Sequence, residues 1–225
     1  RFFNEQEDFA FFKYDSILGP NILGYDGEVE IIGDIYVSSD KVTSYGKLET
    51  NNSSFISDNF SYNQNLIVSE NTSLKLSTSN HTKGLMEAED VFFKYDLVKN
   101  IMEFKSLFFD ERNFIFPEYD LSTSLSNAEW LLSKGSIEVK ASSGEIHSVY
   151  SLSNNFYNWD FISNSFSLDL NTKIINAKGV PDIQVADAYI IPENKELYIR
   201  EGFQILPLSN SVLVLDTINE FHRFV

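Results

Sequence analysis

The chain contains no cysteine. That single absence removes disulfides, thiolate metal sites and cysteine nucleophiles together, and it leaves the compartment open. Histidine is scarce: His81, His147 and His222 stand far apart and without ligand spacing. There is no His-Glu-x-x-His, no P-loop, no Gly-x-Gly-x-x-Gly and no Gly-x-Ser-x-Gly elbow, so the common signatures of zinc hydrolysis, nucleotide binding and serine catalysis are missing. No Asp-x-Asp-x-Asp-Gly loop offers converging oxygen ligands for calcium. No apolar run approaches the ~18 residues of a membrane helix; clusters such as Leu107-Phe108-Phe109 are strand-sized. Basic residues are few, 17 against 33 acidic, for a net charge of −16. Such a surface repels phosphate backbones and excludes nucleic acid as a partner. It also repels anionic lipid head groups, while an apolar interior could still hold lipid tails. The chain opens on Arg1 with no signal segment and stops at Val225 directly after an apolar run, and it reads as an internal piece of a longer protein.

What is present is hydrophobic and aromatic. Of 225 residues, 43% are hydrophobic and 15% aromatic, enough to build a core and to exclude global disorder. The patterning has period two almost throughout. From Gly27 to Ser38, Val29, Ile31, Ile35 and Val37 share one face and Glu28, Glu30 and Asp34 the other, which predicts a strand. Short polar strands are expected over 45–50, 54–62, 66–70 and 73–78, with Tyr62-Asn-Gln-Asn-Leu66 as a tight hairpin. Bolder alternation follows from residue 86: Val91, Phe93 and Tyr95, then Ile101–Phe104, 114–119, 130–132, 137–140, 146–152, 159–162, 166–169, 174–177, 183–191, 196–200, 212–215 and 221–225. Pro192-Glu-Asn-Lys195 is read as the turn of a hairpin joining 183–191 to 196–200. Helical spacing is hinted at only near Asn127–Ser133.

Turns recur with a regular step. Tyr95-Asp96, Tyr119-Asp120, Leu168-Asp169, Ile191-Pro192 and Leu215-Asp216 are separated by 24, 49, 23 and 24 residues, the second interval being close to two units. A period of about 24 with two strands per unit lies in the range of stacked repeats. One hairpin cannot bury its apolar face alone, so neighbours must share a core. The expected fold is therefore all-β: mainly antiparallel, repeated hairpins stacked as an elongated jelly-roll or solenoid-like sheet. A parallel β-helix and a plain β-sandwich are the alternatives. The whole of 1–225 is expected to be one repetitive module, less regular over 1–85 and regular over 86–225.

Gly179-Val-Pro181, Ile183, Val185-Ala-Asp187, Ile191-Pro192, Leu206-Pro-Leu-Ser-Asn210 and Asp216-Thr217 resemble the same region of very large, repetitive, uncharacterised proteins of Bacteroidota. Leu85–Phe104 and the surroundings of Trp130 fit that pattern too. The resemblance implies the envelope of a didermic bacterium, periplasmic or associated with the outer membrane. It brings no activity with it. Ala88-Glu89 through Tyr95-Asp96 and Ala186-Asp187 through Gly202 are similar, more loosely, to the LptA/OstA-type repeats of lipopolysaccharide transport.

Candidate site residues are few. Asp187 shares strand parity with Ile183, Val185, Tyr189 and Ile191; an inward carboxylate there would need a partner or a raised pKa, whereas the opposite parity would leave it exposed. Trp130, Tyr157 and Trp159 are candidate platforms for sugar, against core packing. Asp96, Asp120, Asp169 and Asp216 read as turn residues bonded to local N–H groups. Asn51, Asn59, Asn71 and Asn80 head Asn-x-Ser/Thr triplets, as a turn-rich, Asn- and Ser-heavy composition produces. The missing chemistries imply a non-enzymatic protein without a cofactor or metal, and the resemblance implies that it belongs to the cell envelope. It would be a structural scaffold or a lipid-shielding conduit, with lipid or other envelope proteins as partners. A carbohydrate- or protein-binding β-sandwich module is the alternative.

Overall fold

In a computed structural model of the chain the described residues are 2–3, 11–14, 22–51, 53–77, 83–108, 112–142, 147–152, 160–185 and 188–215. They form strands and single 3-10 turns, with no α-helix, and no helix long and apolar enough to cross a membrane occurs among them. Two compact units divide the chain, residues 1–108 and 109–225.

The first unit is an antiparallel meander. Its strands are β1 (Phe2–Phe3), β2 (Phe11–Tyr14), β3 (Ile22–Gly24), β4 (Val29–Val37), β5 (Val42–Thr50), β6 (Ser53–Asn63), β7 (Leu66–Leu76), β8 (Met86–Asp96) and β9 (Ile101–Ser106). Each of β4 to β8 pairs with the next, while β2 and β3 share the far edge of β4. The alternation expected over 27–38 is realised: Val29, Ile31 and Ile35 are buried. The two-residue turn Gln64-Asn65 closes the predicted hairpin.

The sheet is strongly curved. Phe55 and Phe104 stand on β6 and β9, three strand spacings or about 14 Å apart in a flat sheet, yet their ring centroids are 6.3 Å apart. Phe93 lies between them, 4.5 Å from Phe55 and 5.8 Å from Phe104, with Phe60 edge-on to it at 6.3 Å. This aromatic cluster fills the concave face.

Sequence reasoning expects 66–70 and 73–78 as two strands, but they are one, β7, carrying a bulge. Burial runs through Ile67 and Ser69, then changes parity to Thr72, Leu74 and Leu76, because Glu70 and Asn71 both face solvent. The same step occurs at Asp58-Asn59 in β6 and Glu89-Asp90 in β8. Pairing is interrupted at the same level of the sheet in all three ladders, with a register shift between β5 and β6 and between β7 and β8 and none between β6 and β7, so the three irregularities lie side by side. An extra residue in one strand restores its apolar side chains to the core after the local kink. Buried serines hold the row: Ser57 Oγ and Ser69 Oγ are 2.7 Å apart, and both are within hydrogen-bond reach of the Asn71 carbonyl. Asn71 Nδ2 donates to Asp90 at 3.1 Å.

The second unit contains β10 (Phe114–Phe116), β11 (Leu121–Thr123), β12 (Asn127–Leu131), β13 (Ser136–Lys140), β14 (Ser148–Ser151), β15 (Asp160–Ile162), β16 (Ser165–Asp169), β17 (Ile174–Lys178), β18 (Ile183–Val185), β19 (Ala188–Ile191), β20 (Glu196–Arg200), β21 (Gln204–Ile205) and β22 (Val212–Leu215). These are hairpins that skip. β10/β11 pairs onward with β14/β15, while β12/β13 pairs with β16/β17 and then β20/β21. β18, β19 and β22 form a separate three-stranded ladder, with β18 alongside β15. Rings from the two series of ladders meet: Phe116 on β10 stacks edge-on to Phe166 on β16 at 5.1 Å, and Phe161 on β15 lies 6.5 Å from Phe203 after β20. Phe114, Val149 and Ile183 on one side and Ile137, Leu168, Ile175 and Ile199 on the other are buried.

Two expectations are corrected here. The run 183–191 is two strands paired with each other, not one. The segment Pro192–Lys195 is not a hairpin turn either, because β19 pairs with β18 and β22 while β20 pairs with β17 and β21. The chain changes ladder there, and Val180 N–H binds the Lys195 carbonyl at 3.0 Å, seating one crossing on another. Asn127–Leu131, where helical spacing was weakly indicated, is strand followed by one 3-10 turn at Leu132–Lys134.

Gly33 and Gly46 face each other across β4 and β5 at φ 143° and 131°. A Cβ on Gly33 would collide with the Tyr45 carbonyl oxygen, and one on Gly46 with that of Ile32. Gly33→Ala should therefore lower unfolding free energy by at least about 2 kcal/mol in urea denaturation. Tyr45→Ala on the exposed face should change it by less than about 0.5 kcal/mol. Equal effects would contradict this close approach.

Candidate functional site

Trp130 sits on β12 with Ala128, its side chain 3% exposed and its strand partner Ile137 fully buried. It is a core residue and offers no platform. Tyr157, Trp159 and Asp187 lie outside the described residues, as do His81 and His222. His147 is buried where the chain passes between ladders, with Nδ1 3.1 Å from the Ser124 carbonyl. The turn aspartates act locally. Asp96 accepts from Lys99 N–H at 3.0 Å, and Lys99 Nζ lies 3.1 Å away; these hydrogen bonds hold its carboxyl below the usual range. Asp169 accepts from the N–H groups of Asn171 and Thr172 at 2.8 and 3.1 Å. Asp120 is a left-handed residue at φ 49° after the 3-10 turn Pro117–Tyr119. Asn51, Asn59 and Asn71 are exposed. Among the described residues no group of three or more His, Asp or Glu is placed to hold a metal ion.

Geometry gathers polar groups somewhere the motifs did not indicate. On β20, Leu197 and Ile199 point inward and are fully buried, so Glu196, Tyr198 and Arg200 point outward. Arg200 pairs with Gln204, and the turn Thr172-Lys173 closing β16/β17 lies alongside. Together Thr172, Lys173, Arg200, Glu201 and Gln204 line a cleft of about 320 Å3. Lys173 Nζ is 2.9 Å from Glu201 Oε1. Tyr198 donates to Glu196 at 2.7 Å, and this bond to a carboxylate, with the carboxylate's charge, raises the pKa of the phenol. The signal in the sequence was the plain alternation Glu196-Leu-Tyr-Ile-Arg200, which marks a half-buried strand and nothing chemical.

Comparison with protein-family models, with curated proteins and with solved structures finds no match. The site is therefore read from its own geometry.

Two phenols, one half-buried and one fully buried, give a pH signature. Tyr62 bonds Ser44 at 2.6 Å; Tyr119, fully buried, finds no partner for its hydroxyl among the described residues. Burial raises the pKa of both, and for Tyr119 the charges of Glu201, Glu118 and Asp169 raise it further. An unfolded tyrosine ionises near ~10, so stability is complete below about pH 10 and is lost as pH rises towards the folded-state values. Tyr119→Phe removes an unpaired buried hydroxyl and should stabilise by about 1 kcal/mol at neutral pH. It should also lessen the loss of stability on moving from about pH 8 to about pH 11. Urea denaturation at both pH values checks this, and an unchanged alkaline slope would refute it.

Proposed function

We propose that the chain is a non-enzymatic module of the bacterial cell envelope, a scaffold of repeated β hairpins that shields lipid acyl chains along the uncovered edge of its three-stranded ladder. The envelope setting rests on the resemblance to the Bacteroidota proteins. The repeat we have in mind is the hairpin that skips its neighbour, laid alternately on two facing ladders in the manner of a jelly-roll stack.

One observation carries the lipid part. The inner face of the three-stranded ladder loses its cover from one edge to the other. Ile183 on β18 is 1% exposed and Ala188 on β19 is 8% exposed. Register places Leu215 opposite Ala188 and Leu213 opposite Ile190, hence on the same inner face, yet they are 45% and 57% exposed. Val212 and Val214, on the other face of β22, are exposed too. A contiguous apolar surface of this kind marks a place where something apolar binds.

The test is chemical. The protein is purified without detergent, extracted with organic solvent and examined by mass spectrometry. Recovery of acyl lipid in stoichiometric amount is expected, with loss of most of it in Leu213→Asp/Leu215→Asp. An extract free of lipid from a folded protein leaves a scaffold with no conduit role.

A further inference from the structure

The outer face of β20 and the cleft beside it have no part in lipid shielding, and they carry a different chemistry. We propose that they form a binding site for a short neutral oligosaccharide. Tyr198 supplies an aromatic surface, 41% exposed, for the C–H face of a pyranose ring. Its hydroxyl is tied to Glu196 at 2.7 Å, which restricts the ring before any ligand arrives and lowers the entropy lost on binding. Arg200 projects from the same face two residues on, about 7 Å along the strand. Its cleft, about 320 Å3, is of the size that holds a small ligand. The groups lining it are a guanidinium, a carboxamide, a carboxylate, an ammonium and a hydroxyl. Planar groups with paired donors or acceptors match the vicinal hydroxyls of a sugar, and the lone hydroxyl can both give and accept.

Charge selects a neutral ligand over an acidic one. Lys173 is neutralised by Glu201 at 2.9 Å. Glu196, on the same outer face of β20, offsets Arg200, so the face and its cleft together carry no net charge. The chain as a whole carries −16, a field that opposes a polyanion.

The experiment is isothermal titration calorimetry with cellotriose, maltotriose, laminaritriose and chitotriose, and with trigalacturonic acid as the acidic counterpart. At least one neutral trisaccharide should bind. Tyr198→Ala and Arg200→Ala should each weaken binding at least about tenfold, with thermal midpoints unchanged because both side chains are exposed. Tyr189→Ala, an exposed tyrosine on the other ladder, should bind as the parent does. The proposal fails if none of the four neutral sugars gives heat of binding. It fails equally if both β20 variants bind like the parent, or if trigalacturonic acid binds more tightly than every neutral sugar.

Discussion

A two-stranded hairpin satisfies the peptide groups between its strands and leaves a row unpaired on each side. Everything in the second unit follows from how that need is met. Each hairpin finds its partner not in the next hairpin but in the one after it, through β11 with β14, β13 with β16 and β17 with β20. Two series of hairpins grow together from one chain, and the side chains of one series become the cover for the other. Described residues of the crossings are hydrogen-bonded to neighbouring strand ends: Ser124 N–H to the Ser148 carbonyl at 3.1 Å, Asn164 N–H to that of Lys178 at 3.0 Å. Buried small polar residues, Ser122, Thr123, Ser126 and Ser163, sit at or beside these crossings, where a bulky side chain would hold the ladders apart.

From β4 to β9 the first unit meets the same need by simple succession, each strand pairing with the next. Among its described residues no second layer covers the apolar face. Curvature substitutes for it, bringing Phe55, Phe93 and Phe104 into one stack across four strands. Curvature in turn requires places where backbones come unusually close, and Gly33 against Gly46 is such a place. A polar outer face, a filled concave face and a glycine pinch are thus one solution, not three separate features.

Much of this was legible in the residues. Strict alternation located β4, β8, β9, β13 and β17, and the Asn/Gln turn before Leu66 located a hairpin, because both signals depend only on neighbours along the chain. Bulges were not legible as such. Glu70-Asn71 looks like a turn because two polar residues interrupt the pattern, and only the partner strands show that the strand continues. The division into β18 and β19 was hidden for the opposite reason: the run from Ile183 to Ile191 is apolar enough to read as one piece. Which ladder a strand joins is a property of pairing at long range, so Ile191-Pro192 and Leu168-Asp169 share a spacing yet do different things: one changes ladder and the other closes a hairpin. Trp130 was a surface candidate by residue type alone, and its place on the inner face of β12 came from register. The cleft near Arg200 draws on two separate turns and had no contiguous signature.

The row of bulges across β6, β7 and β8 has a consequence for alignment. These strands are rich in Ser, Asn and Thr, and such strands slide past one another more readily than apolar ones. A slip of β7 by a single residue would set Glu70-Asn71 against regular stretches of both neighbours and turn Ile67 and Leu74 to water. It would also part Ser57 from Ser69. Three kinks at one level therefore work like the wards of a lock: only one sliding position lets all of them engage, and a sheet with weak side-chain preferences keeps a single register.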